Sequence, residues 1–155
     1  MEIERKFLVK TLPEGLDSYK CKHIEQGYLN TNPDVRIRKS DEDYILTYKG
    51  DGMLCREEYN LPLTKEAYEH LKAKIDGTLI QKRRYLIPLA DRLMAELDIF
   101  EGKLAPLQLV EVEFETKEDA ERFAPPVWFG EDVTFDKNYK NNSLQIVSAT
   151  MHKRN

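Results

Sequence analysis

Cysteine is nearly absent from this chain. Cys21 and Cys55 stand far apart with no Cys-x-x-Cys spacing. That excludes a disulfide framework and a sulfur-ligated metal, and a reduced cytoplasmic chain is the simpler reading. Histidine is equally sparse, and His23, His70 and His152 lack metal-ligand spacing, so each reads as a surface residue. No apolar run approaches the ~20 residues of a membrane span. The amino terminus, Met1-Glu2-Ile3-Glu4-Arg5-Lys6, is charged from the start, where a signal peptide would carry its apolar core. The chain has no Gly-x-x-x-x-Gly-Lys-Ser/Thr loop and no Gly-x-Ser-x-Gly elbow, which removes the common phosphate-loop and nucleophile-elbow chemistries. Positive charge is not in excess either. Lys plus Arg is 24 and Asp plus Glu is 28, a net charge of −4, which disfavours a nucleic-acid binder.

What is present is a single domain over residues 1–155, with 41% hydrophobic residues and enough length for one core. Short alternating runs predict strands at Glu2–Val9, Lys22–Leu29, Asp34–Ser40, Tyr44–Lys49, Leu54–Leu63, Thr78–Ile87, Leu93–Phe100 and Leu107–Thr116. Turn residues separate them: Asn32-Pro33, Ser40-Asp41-Glu42-Asp43, Gly50-Asp51-Gly52, Pro88 and Glu101-Gly102. Thr64 is a predicted N-cap for a helix over Lys65–Ile75, and Thr116 opens a shorter one that Pro125-Pro126 stops. A last helix is expected between Asn142 and Met151. Eight strands with short connections favour an antiparallel barrel or sandwich.

The faces of these strands are unusual. Residues two apart share a face, and one face collects the cations Lys6, Arg36, Arg38, Lys49, Arg56, Lys82 and Arg84. It also collects the acids Glu2, Glu4, Glu58, Glu96, Asp98, Glu111 and Glu113. A solvent-facing sheet usually mixes Ser, Thr, Asn and Gln with scattered charges. An open sheet with a salt-bridged outer face remains one reading. The other is a barrel closed with its charged face inward around a wet lumen, suited to a polyanion held by cations and to metal ions held by carboxylates. Oxygen-only donors favour magnesium or manganese over zinc.

The opening Glu2-Ile3-Glu4-Arg5-Lys6 has the Glu-x-Glu-x-Lys form of the CYTH superfamily, the triphosphate tunnel metalloenzymes. Further matches follow in order: Gln26-Gly27-Tyr28-Leu29, Val35-Arg36-Ile37-Arg38, Leu46-Thr47-Tyr48-Lys49-Gly50, Arg56-Glu57-Glu58-Tyr59, Lys82-Arg83-Arg84-Tyr85, Glu96-Leu97-Asp98-Ile99-Phe100 and Val110-Glu111-Val112-Glu113. Trp128-Phe129-Gly130 and Asp132-Val133-Thr134 complete the series. The resemblance covers nearly the whole chain, and the chain looks most like small bacterial members that hydrolyse inorganic triphosphate. Two departures are Asp132, where the family usually has Glu, and Ala105-Pro106-Leu107, where many members have Gly-Leu.

The resemblance implies a mainly β fold, a closed eight-stranded antiparallel barrel with a charged lumen and a few outer helices. It implies a metal-dependent hydrolase of tripolyphosphate, using two Mg2+ or Mn2+ ions. Glu2, Glu4, Glu111 and Glu113 are then the leading metal ligands and Glu58 a further one, while Glu96 and Asp98 stand as secondary candidates with ion pairing to lumen arginines as the competing reading. Arg36, Arg38, Lys49, Arg56, Lys82 and Arg84 would grip phosphates, and Lys6 resembles the family lysine that works with a tyrosine, here Tyr28. A class IV type adenylate cyclase, another nucleoside or thiamine triphosphatase, and a non-catalytic polyphosphate-binding module are the alternatives. The expected partner is a small-molecule triphosphate, with neither nucleic acid nor membrane, and a homodimer is compatible with this reading.

Overall fold

The computed structural model of the protein describes residues 2–52, 54–140 and 143–144. The described strands are β1 (Glu2–Val9), β2 (Lys20–Asn30), β3 (Asp34–Ser40), β4 (Asp43–Lys49), β5 (Cys55–Arg56), β6 (Glu58–Pro62), β7 (Asp76–Pro88), β8 (Met94–Phe100), β9 (Gln108–Glu113) and β10 (Phe129–Asp132). Two helices accompany them, α1 (Lys65–Lys72) and α2 (Lys117–Arg122). Their caps are the expected ones: Thr64 accepts from the Ala67 amide at 3.1 Å and Thr116 from the Asp119 amide at 3.0 Å.

The strands follow the order β10-β1-β9-β8-β7-β2-β3-β4-β6, and all the pairs are antiparallel. The ring is brought round by β5, which pairs with β1 through only Glu2↔Arg56 and Ile3↔Cys55. The Glu4 amide adds one bond to the Leu54 carbonyl at 3.2 Å. The result is a nearly closed antiparallel barrel. Its strand count departs slightly from eight, because the run Leu54–Leu63 is split at Glu57 into β5 and β6. A further strand, β10, lies along the far half of β1 in the Trp128 segment, where no strand is predicted. The helix expected over Asn142–Met151 falls, apart from Ser143 and Leu144, outside the described residues.

The sheet is inverted relative to an ordinary one: its main apolar face points outward and is then covered. Phe7, Tyr85, Leu97, Val110 and Val112 pack with Phe114, Ala120 and Phe129 beneath α2 and the segment leading into β10. Each Val, Leu or Phe side chain among them contributes about 1.5–3 kcal/mol on full burial. Arg5, also outward, ties this cover down. It donates to the carbonyls of Ala120 (2.9 Å) and Phe123 (3.4 Å) and pairs with Asp132 at 2.8 Å. Trp128 packs edge-on against Phe129 with 4.6 Å between ring centroids. On the other side of the barrel α1 packs over β3 and β4. The chain between α1 and β7 lies so close to β2 that a Cβ at Gly27 would sit 2.7 Å from Ile75, so glycine is required there.

A second cluster joins Tyr28, Ile80, Phe100 and Leu109 to Leu104, Val133 and Leu144. By register Tyr28 opposes Arg36, Ile80 opposes Gln26, Phe100 opposes Lys82 and Leu109 opposes Asp98. These apolar residues therefore share the inner face with the charges. The lumen is charged along part of its length only, and one band of it is apolar and roofed.

Candidate functional site

Side chains of directly paired residues on neighbouring strands project from the same side of a sheet. Glu4 opposes Glu113, Lys6 opposes Glu111, and Glu111 in turn opposes Glu96. Arg84 opposes Asp98, Tyr28 opposes Arg36, Lys49 opposes Glu58, and Glu2 opposes Arg56 across the closing pair. Arg38 and Lys82 follow as the alternate residues of β3 and β7. Every candidate residue from the sequence thus comes to one inner face. A nearly closed barrel, not the open sheet, is what the alternating charges build.

The ion pairs fall into two grades. Lys82 Nζ lies 2.7 Å from Asp98 Oδ2, while Arg84 grips the same carboxylate with Nε at 2.8 Å and Nη2 at 2.9 Å. Lys49 Nζ meets Glu2 at 2.8 Å. Other contacts are slack: Arg56 to Glu2 and to Glu4, and Lys6 to Glu111, are each 3.9 Å, and Lys49 to Glu58 is 3.8 Å. Arg84 also reaches Glu96 at 3.3 Å, so Asp98 and Glu96 are both ion-pair partners of a lumen arginine. Glu113 sits exposed at the rim.

Burial and crowding shift several of these groups. Burial pushes the Glu4 carboxyl up to about 8, with neighbouring Glu111 and Glu2 adding to it against the pull of Lys49. Burial would raise Glu111 too, but Lys6 and Arg84 outweigh it and hold Glu111 well below the usual carboxylate range. Asp98 is likewise held down by Arg84 and Lys82 against the effect of burial. Burial draws the Lys82 ammonium down to about 7, opposed by Asp98 and reinforced by Arg84 and Arg38.

Lys6 and Tyr28 each have a different hydrogen-bond partner. Lys6 Nζ donates to the Tyr139 carbonyl at 2.8 Å, and the buried Tyr28 hydroxyl lies within hydrogen-bonding reach of Arg36. Two lumen residues escaped the charge pattern. Asp34 pairs with Arg56 at 3.3 Å, and Gln26 accepts from Arg38 Nε at 2.8 Å. The available signal was alternation: Asp34 stands two residues before Arg36, and Gln26 two before Tyr28.

A small cavity of about 20 Å³, room for one water, remains between Glu4, Lys6, Arg56, Thr134 and Lys140. A larger open cavity of about 1320 Å³ lies over the rim, where Glu96 and Glu113 border the Leu89–Met94 turn and α2. Both cysteines are free. Among the described residues no helix is long and apolar enough to cross a membrane.

Comparison with known proteins agrees with this architecture. An inorganic triphosphatase of Nitrosomonas europaea is 44% identical over 148 residues, spanning 94% of this chain and 97% of its own. An inorganic triphosphatase of Acetivibrio thermocellus is 34% identical over 152 residues, 92% of each chain. The crystal structure of the inorganic triphosphatase NE1496 superposes with a TM-score of 0.71 at 41% identity, covering 94% of this chain and 95% of that one. The CYTH domain model matches residues 1–132. With that match spanning the strands that build the charged lumen, the chain belongs to the CYTH domain family.

Proposed function

We propose that the protein hydrolyses inorganic tripolyphosphate to pyrophosphate and phosphate within the barrel. The observation that carries this reading is the arrangement of acids and cations on facing strands. Glu4 opposes Glu113 and Lys6 opposes Glu111, on the same inner face as Arg36, Arg38, Arg56 and Arg84. A pure anion binder gains nothing from such acids. The names of the two relatives and of the superposed structure support the same activity.

The donor set fits a hard divalent cation, Mg2+ or Mn2+. Glu4 keeps its proton up to about 8 because it is buried beside Glu111 and Glu2, and a cation relieves that crowding. Among the described residues no three acids close a cage unaided. A cation there would draw its remaining ligands from water and substrate. Glu2, Glu4, Glu111 and Glu113 would hold it, with Glu58 as a further ligand. When bound it would supply Lewis-acid charge toward the phosphates and lower the pKa of a coordinated water.

The chain's own residues do the rest. The slack contacts of Arg56 with Glu2 and Glu4, of Lys6 with Glu111 and of Lys49 with Glu58 give way to phosphate oxygens as substrate enters, while Lys49 keeps its 2.8 Å pair with Glu2. Arg84 and Lys82, anchored on Asp98, supply charge that does not have to be reoriented when negative charge builds up in the transition state. Arg36, held by Tyr28, and Arg38, held by Gln26, present planar forks to phosphoryl oxygens. Lys6 neutralises charge beside Glu111, and Tyr28 acts through Arg36.

Inorganic substrate is favoured over a nucleotide. The inner-face aromatics Tyr28 and Phe100 are only 1% and 2% exposed and packed in the apolar band, so neither ring is free to stack on a base. The test is kcat/KM for tripolyphosphate, ATP and pyrophosphate with Mg2+ or Mn2+, with phosphate, pyrophosphate and cyclic AMP all measured. Tripolyphosphate should lead, and pyrophosphate should be poor because it spans too few of the cations. An ATP value equal to or above that of tripolyphosphate, or cyclic AMP as the product, overturns the reading. A cytoplasmic location belongs to the same proposal.

A further inference from the structure

We propose that Gln26 contacts the substrate directly, as an uncharged hydrogen-bond donor to a phosphoryl oxygen beside Arg36 and Arg38. The inference rests on the proposed triphosphatase activity and adds a residue to its binding site. Gln26 is 0% exposed and lies on the inner face, opposing Arg38 on one side and Ile80 on the other. It therefore marks the border where the charged lining gives way to the apolar band.

The orientation of its amide is fixed by chemistry. A guanidinium has donors only, so the group that meets Arg38 Nε at 2.8 Å must be the amide oxygen. The NH2 end is thereby turned away from Arg38, and Gln26 Nε2 is buried without any partner. A buried donor left unpaired is rare in native proteins and calls for an explanation. One rung along the same ladder, where Tyr28 opposes Arg36, Arg36 Nε is buried and unpartnered as well. Two unmatched donors on neighbouring rungs of one lumen face ask for a ligand made of acceptors. A phosphoryl group, whose oxygens only accept when ionised, is such a ligand.

The choice of an amide also follows from the surroundings. Burial lowers Arg38, and the nearby Arg36 and Arg84 lower it further. Another cation at position 26 would add to that repulsion, whereas an amide supplies the hydrogen bond without the charge. With Nε engaged by Gln26, Arg38 keeps its two terminal nitrogens for the ligand.

The experiment compares the wild type with Gln26→Glu and Gln26→Met. Inorganic tripolyphosphate is titrated calorimetrically into metal-free protein, kcat and KM are measured with Mg2+, and thermal melting serves as the check of folding. Glu retains an oxygen for Arg38 Nε and removes the free donor; Met fills similar volume and removes both. Both variants should bind tripolyphosphate about ten- to a hundredfold more weakly, seen mainly in KM with kcat little changed. Unchanged affinity in both overturns the inference. So does unchanged affinity in Gln26→Glu with loss in Gln26→Met, since Gln26 would then serve only to orient Arg38. If Gln26→Glu does not fold, Gln26→Met decides alone: unchanged affinity overturns, weakened affinity supports. Absence of turnover in the wild type would instead refute the activity, and the metal-free titration would still judge Gln26 separately.

Discussion

Lys82 and Asp98 meet diagonally across β7 and β8, with 2.7 Å between ammonium and carboxylate and 0% and 1% of their side chains exposed. Asp98 is at the same time the two-pronged partner of Arg84. One carboxylate thus fixes two lumen cations. Asp98→Asn would leave the buried Lys82 without its carboxylate and Arg84 with only Glu96, and should cost about 3–5 kcal/mol. Glu96→Gln, whose side chain is 35% exposed, should cost about 1 kcal/mol or less. Denaturant unfolding of the two variants checks the contrast, and equal stabilities would refute the shared-counter-ion reading.

Lys82 also sets a pH dependence. The folded chain releases this proton at about 7, the unfolded chain only near ~10.4. Between those values the unfolded state binds more protons, so stability rises with pH across the window, and the penalty is fully present below its lower edge. Melting temperatures of the metal-free protein, followed from about pH 6 to about pH 9, should contain this rise. In Lys82→Met the rise should be flatter by one titrating group.

The two faces of a strand should respond differently to the same truncation. Arg38→Ala and Arg84→Ala remove inward cations, and kcat/KM should fall by about a hundredfold or more, in line with lost charge-assisted phosphate contacts. Arg83, between Lys82 and Arg84, points outward to Tyr85 and Glu101 with 37% of its side chain exposed. Arg83→Ala should stay within about twofold, as surface pairs contribute little. Arg5→Ala is a poor control despite its outward direction, because it frees the end of α2 and should lower the melting temperature.

Neutralising the acids tests the metal assignment. Glu4→Gln and Glu111→Gln preserve side-chain volume, so circular dichroism should be unchanged while turnover with Mg2+ is lost. Full activity in both variants would remove these residues from the metal site.

Much of this architecture was legible because alternation is a property of the backbone and charge is easy to read. Runs such as Arg36-Ile37-Arg38 and Glu111-Val112-Glu113 leave only one way to assign faces. What escaped depends on neighbours distant in sequence. Nothing in Cys55-Arg56-Glu57-Glu58 announces that the chain changes partner at Glu57, since that break follows from where β1 and β4 lie. Phe129–Asp132 is too short to reveal itself as a strand, and the contacts that hold it along β1, the Arg5–Asp132 pair and the Lys6–Thr134 and Lys10–Trp128 bonds, join residues far apart in sequence. Gln26 carries no charge to mark it, and Asp34, an acid two residues before Arg36, reads as no more than the end of its strand. The Tyr28–Ile80–Phe100–Leu109 band was hidden because apolar residues on alternating strands are assigned to a core by default, and here the inner and outer faces both contribute one.

The junction of β1 with β5 has a mechanical consequence. Two residue pairs fasten the circumference there, whereas β2 and β7 share eight. Glu2 and Arg56 stand opposite each other at that fastening, and both belong to the proposed site. A ligand that bridges them would act as a clasp across the weakest stretch of the wall. Amide hydrogens of Ile3 and Cys55 should then exchange faster in the free protein than those of Lys22 or Arg84, and slow when tripolyphosphate is added. Catalytic occupancy and wall integrity would rise and fall together.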